Sequence, residues 1–263
     1  MLVPTMTLDE IYMAVNADIG FIVQKLYESI KAFGKVSLKN NKYPFKQKHE
    51  FKNYKSNIEY TYYLVCFKRS QWDNPRCTIV TSYSHEGGIT TVVVNPAQNS
   101  SIQVHTPHFW TRFKERYLED PTKSTQEAID FYFENTCKYC YPQDEILRID
   151  SEKYYTDNNT EYYTTISSLG VCICEKEKNN DKIEIFNTFL SYEMLRKQQN
   201  RNIALTYFTV YFEDYKVHHP NMTTIIDHME QDFCTKADEE NWSIDKFIDE
   251  SEKLMDRYPI YIA

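Results

Sequence analysis

Between residues 59 and 105 four β-branched and aromatic runs, 59–68, 77–84, 89–95 and 101–105, alternate with short polar separators. The separators are Trp72-Asp73-Asn74-Pro75, His85-Glu86-Gly87-Gly88 and Asn95-Pro96-Ala97-Gln98-Asn99. They favour turns and are too short to hold a crossover helix, so consecutive strands must pair antiparallel. The remaining segments then have to pack on, or extend, a mainly antiparallel sheet.

Ahead of the sheet, Thr7 and Glu10 have the spacing of a capping box. Leu8, Ile11, Val15, Ile19, Ile22, Leu26, Ile30 and Phe33 then keep helical spacing, which predicts one helix that stops at Gly34. Residues 35–57 are basic and irregular and are expected to form a long loop. Beyond residue 105, Thr106 is a helix cap and Pro107 suits the first helical position. Pro121 ends that helix, and Ser124 or Thr125 caps another running through Ala128, Ile129 and Phe133. Residues 161–175 and 182–190 read as two more strands joined by the polar turn 176–181, and Ser191 as the cap of a short helix with Met194 and Leu195. Residues 203–215 are apolar enough for a helix or a buried strand, and their length favours the helix. Two further helices are expected around 222–233 and 244–255. The predicted fold is α+β: an N-terminal helix, a mainly antiparallel sheet with inserted helices, and a helical C-terminal extension. The domain reading is an α+β unit over 1–220, with a nuclease-like core at 58–195, and an acidic helical extension over 221–263 packed on it.

Five Gly against 22 Tyr and 15 Phe, with 41% apolar residues, describe a chain that buries aromatic surface. The longest apolar stretch, residues 11–30, is interrupted by Asp18, Lys25 and Glu28 and reads as an amphipathic helix, so no membrane span or signal peptide is expected. Seven cysteines, an odd number scattered through apolar segments, fit reduced thiols, and the expected location is cytoplasmic. The net charge is −8, yet residues 31–55 hold eight Lys and one acid, a local +7. Such an arm either holds a polyanion or is a solvated loop. Lys39, Lys42, Lys46, Lys48 and Lys52 are the candidate RNA-binding residues.

Chemistry is suggested by one helical row, His108, Arg112 and Arg116, one turn apart along the helix that follows Thr106. The helix N-terminus keeps His108 neutral, able to accept a proton, and the two guanidinium forks suit phosphate oxygens. That set fits metal-independent RNA cleavage, in which a base takes the 2'-hydroxyl proton and cations stabilise the pentavalent anion. His105, at the strand end, stands beside it. The same spacing also lets Arg112 pair with Glu115 and Arg116 with Asp120 as ordinary surface ion pairs.

A strand followed by His-x3-Arg-x3-Arg on a helix, then a second helix and a β-hairpin, resembles the barnase, EndoU, colicin and RelE-like ribonuclease superfamily over residues 100–195. The resemblance implies an endoribonuclease fold in which a late strand supplies a hydroxyl to the site, here Thr188 or Ser191. The four preceding strands and the acidic remainder depart from that pattern. The competing expectation is a non-catalytic interaction protein, of phage or mobile-element type, that binds a partner protein through aromatic and acidic surfaces. Cys137-x2-Cys140 has zinc-knuckle spacing, but Cys172-x-Cys174 lies on a predicted strand, so core thiols are favoured over metal. No cofactor is implied, since Walker, Gly-x-Ser-x-Gly and His-Glu-x-x-His sequences do not occur.

Overall fold

The structure is a computed structural model that describes residues 1–67, 69–85, 87–96, 100–136, 162–167, 169–195 and 219–258, with positions 205, 208–209, 211–213 and 215–217 between them. Its fold is α+β. The strands are β1 (Phe45–Asn53), β2 (Ile58–Cys66), β3 (Arg76–His85), β4 (Gly88–Asn95), β5 (Ser101–His105), β6 (Tyr162–Ser167), β7 (Gly170–Glu177) and β8 (Asn180–Leu190). They form one sheet in the order β1-β2-β3-β4-β5-β8-β7-β6. Consecutive strands joined by short turns pair antiparallel, as their separators dictate; β5 and β8, which are far apart in sequence, pair parallel.

Helices cover both faces. Strand alternation sends Tyr60, Tyr62, Ile79, Val92, Val94, Ile102 and Val104 to one side, where they pack on Ile11, Val15 and Ile22 of α1 (Leu8–Ala17) and α2 (Ile19–Ser37). Tyr63, Val80, Cys172, Cys174, Phe186 and Phe189 face the other side and pack on α3 (Pro107–Arg116) and α4 (Thr125–Asn135). The capping boxes read at Thr7 and Ser124 both form, with the Glu10 and Glu127 carboxylates returning to the cap backbone.

Four expectations are corrected. The N-terminal helix breaks at Asp18 rather than ending at Gly34, and α2 continues to Ser37. Gly34 serves packing instead, because a Cβ there would come within 3.2 Å of the Trp72 carbonyl oxygen. The expected loop contains β1, whose alternation of Phe45, Gln47, His49 and Phe51 with Lys46, Lys48, Glu50 and Lys52 is period-2 beneath its charge. Residues 161–175 are a hairpin, not one strand: β6 turns into β7 where Gly170 lies so close to β8 that a Cβ would be 2.4 Å from the Leu190 carbonyl oxygen. After β8, Ser191 leads only a 3-10 turn, Tyr192–Met194, and makes no side-chain cap.

The C-terminal helices, α5 (Thr223–Glu239) and α6 (Ile244–Arg257), share a core with helical residues between 205 and 217. Phe208, Phe212 and Tyr215 pack there with Ile226, Ala237, Phe247 and Met255. Lys216 binds Glu213, Asp227 and Glu230 at 2.6 Å each and ties the stretch to α5. No helix among the described residues is long and apolar enough to cross a membrane.

Candidate functional site

The junction of β5 and α3 forms as its residues require. Thr106 is extended, its Oγ1 accepts from the Phe109 amide at 3.2 Å, and Pro107 opens the helix. Because α3 buries Phe109, Trp110 and Phe113, the His108 row falls on its outer side. His108 is exposed, and its Nε2 accepts from Arg112 Nε at 3.4 Å. Arg112 also donates to Glu115 at 2.8 Å, the surface pair its spacing allows. Arg116 is half-buried and donates to the Phe189 carbonyl at 2.6 Å, fastening the end of α3 to β8. Asp120 accepts from the Thr122 hydroxyl at 2.6 Å and from its amide.

The other candidates do not join this row. His105 is fully buried. Its ring stacks on Phe186 at 4.4 Å and Trp110 at 5.5 Å and meets Phe109, Tyr132 and Phe133 edge-on. Burial lowers its pKa to about 3, and the nearby Gln103 backbone opposes that without a hydrogen bond of normal geometry to either nitrogen. The imidazole is therefore a neutral core group, sealed from substrate.

Thr188 lies on the opposite side of the sheet from α3. Residues directly opposite on paired strands share a face. Cys172 pairs with Phe189 and Cys174 with Phe186, all in the core under α3 and α4, so the intervening Ile173–Thr188 pair faces away. Asn187 has no partner in that register, and this bulge is what returns both Phe186 and Phe189 to the same face. Ser191 is buried beyond the end of β8. The structure thus brings His108 and Arg112 together and leaves His105, Thr188 and Ser191 in other surroundings.

The lysines divide into two groups. Lys46 and Lys48 project to the α4 side, where Lys46 donates to Asn135 at 2.6 Å and Lys48 pairs with Asp130 and Glu50 at 3.1 Å. Lys52 pairs with its cross-strand neighbour Glu59 at 3.3 Å. Lys39 and Lys42, before β1, are exposed and their ammonium groups have no ionic partner among the described residues. Cys172 and Cys174 are buried thiols, with Cys172 pushed up to about 12 by burial, so they are core groups. Cys137 and Cys140 lie outside the described residues.

No protein-family model, curated protein or solved structure matches the chain.

What the sequence reading missed is Asp18. It stands in register with Ile11, Val15 and Ile22, a core-facing position for a charged residue, and that conflict was the available signal. The side chain is only 6% exposed, and its Oδ2 accepts from Ser56 Oγ at 2.5 Å and Tyr60 OH at 2.9 Å. Burial, then the Asp18 contact, raises the Tyr60 pKa, so the phenol stays a donor. A groove of about 540 Å³ opens beside this cluster, between the α1–α2 junction and the β1–β2 turn.

Proposed function

We propose that the chain is a non-catalytic interaction protein whose β1 edge receives an extended acidic segment of a partner protein. The observation that carries the reading is the coincidence of open backbone and unpaired positive charge along one border of the sheet. β1 is terminal in the strand order, so among the described residues half of its N–H and C=O groups have no strand to pair with. Nine residues give that border a length of about 30 Å at ~3.3 Å per residue.

Charge is arranged along the same border. The lysines within β1 are satisfied by Asn135, Asp130, Glu50 and Glu59. Lys39 and Lys42 before it and Lys55 after it are exposed, and their ammonium groups have no ionic partner among the described residues. Edge lysines deter neutral and basic strands from adding to a sheet, and the same charges favour an acidic strand. Backbone pairing then supplies affinity, and the flanking lysines supply selection and encounter rate.

The ribonuclease reading has the His108–Arg112 contact in its favour. It lacks the convergence that catalysis needs, because the row's second arginine is engaged by Phe189 and the hydroxyl and second imidazole lie elsewhere.

Fluorescence anisotropy separates the readings, using a labelled alternating Glu-Val peptide, the same composition interrupted by proline, and a single-stranded RNA of equal charge in chelator. The expected result is saturable binding of the Glu-Val peptide, loss with the proline peptide, and weakening of roughly tenfold in Lys39→Glu/Lys42→Glu. Equal binding of the proline peptide removes the strand-addition reading. Tighter RNA binding replaces the protein partner with RNA, and RNA cleavage that disappears in His108→Ala restores the nuclease.

A further inference from the structure

We infer that the groove beside Asp18 binds a small neutral polyol, the size of a mono- or disaccharide. It is lined by Ala17, Asp18, Gly20, Phe21, Gln24 and the turn residues Asn53, Lys55 and Ser56. About 540 Å³ lies within the ~300–1,000 Å³ usual for small-ligand sites.

The unpaired groups in this groove define the chemistry. Asp18 uses Oδ2 for Ser56 and Tyr60, and among the described residues nothing donates to its Oδ1, although the residue is only 6% exposed. Asn53 is 8% exposed, accepts the Lys55 amide on Oδ1 at 3.1 Å, and has no acceptor for Nδ2 among the described residues. Gln24 donates through Nε2 to Glu28, and among the described residues nothing donates to its Oε1. Lys55 has no ionic partner among the described residues. The site therefore offers a carboxylate oxygen and an amide oxygen as acceptors, and an amide and an ammonium as donors.

A simple anion meets the buried Asp18 carboxylate, and a simple cation meets Lys55. Hydroxyl groups donate and accept at once, so a polyol satisfies both sets with no net charge. Phe21 and Ala17 add apolar lining for the C–H groups of such a ligand. Neither Asp18 Oδ1 nor Asn53 Nδ2 is sealed from solvent, so a ligand hydroxyl entering the groove takes the place of water at both.

Gly20 gives a test that does not threaten the fold. A Cβ at Gly20 meets no atom within 4 Å, so a larger side chain enters open space on a helix that gains from losing glycine. Amide chemical shifts of the full chain are followed by NMR during titration with D-glucose, D-galactose, D-mannose, maltose and lactose, and separately with glycine and inorganic phosphate. The expected result is saturable shifts at residues 17–24 and 53–56 with at least one sugar. Gly20→Leu is expected to weaken that sugar at least tenfold while its melting temperature stays equal or rises, and Asp18→Asn to weaken it in the same direction. The inference is overturned if no sugar moves those residues, if Gly20→Leu binds the sugar unchanged, or if glycine or phosphate saturates the groove in place of sugars.

Discussion

The two faces of the sheet each bury a titratable side chain and treat it in opposite ways. Under α1 and α2, the Asp18 carboxylate is held by the Ser56 and Tyr60 hydroxyls, and Tyr62 OH donates to the Ile22 carbonyl at 3.1 Å. Under α3 and α4, His105 sits among five aromatic rings with both nitrogens unsatisfied, and Trp110 Nε1 is unpartnered as well. One face holds a hydrogen-bonded polar cluster and the other stacked rings. Hydrogen bonds stand in for water around the buried Asp18 side chain; around His105 nothing does, and burial drives the imidazole neutral.

The largest effect is expected on the aromatic face. Phe113 is fully buried and contacts Trp110, Tyr117, Phe131, Tyr132 and Phe189, so Phe113→Ala should lose about 3–5 kcal/mol in urea unfolding. A loss below about 1 kcal/mol would mean that the rings do not carry that face. Next, Asp18→Ala strands the Tyr60 and Ser56 hydroxyls and should lose about 2–3 kcal/mol, with Asp18→Asn recovering part of it. Equal stability of Asp18→Ala and wild type would reduce the contrast between the faces to appearance.

His105 sharpens the comparison through pH. Its folded pKa of about 3 lies below the unfolded value of 6.5, so between those limits the unfolded chain binds a proton that the folded chain refuses. Stability should therefore fall as pH drops through that window, by about 2 kcal/mol between pH 7 and pH 5 from this group alone. His105→Leu removes the linkage, and its unfolding free energy should vary correspondingly less over the same range. Parallel pH profiles for the two proteins would contradict a sealed imidazole. The smallest effect is at the groove rim, where Gly20→Ala should gain about 0.5–1 kcal/mol in thermal unfolding because the added methyl meets nothing.

The pairing of β2 to β5 and the caps at Thr7, Thr106 and Ser124 were legible because each depends on neighbours a few residues away. β1 was hidden by lysines that satisfy themselves against α4 and Glu59, partners that lie far along the chain or across the sheet. Thr188 looked available for the His108 row until the bulge at Asn187 decided which way it faces. His105 looked like a site residue because it stands at the strand end beside the His108 row. The parallel pairing of β5 with β8 and the packing of α3 and α4 placed it among five aromatic rings, and no spacing rule reports that.

By itself the sequence determined the helix caps at Thr7, Thr106 and Ser124 and the antiparallel meander from β2 to β5, since backbone sterics, capping and strand period act at short range. Tertiary structure alone decided which polar groups are satisfied: it sealed His105 among rings, turned Thr188 from the His108 row, and opened one oxygen of Asp18 to a groove. Those outcomes depend on contacts between residues dozens of positions apart, and burial is a property of the assembled sheet rather than of any segment.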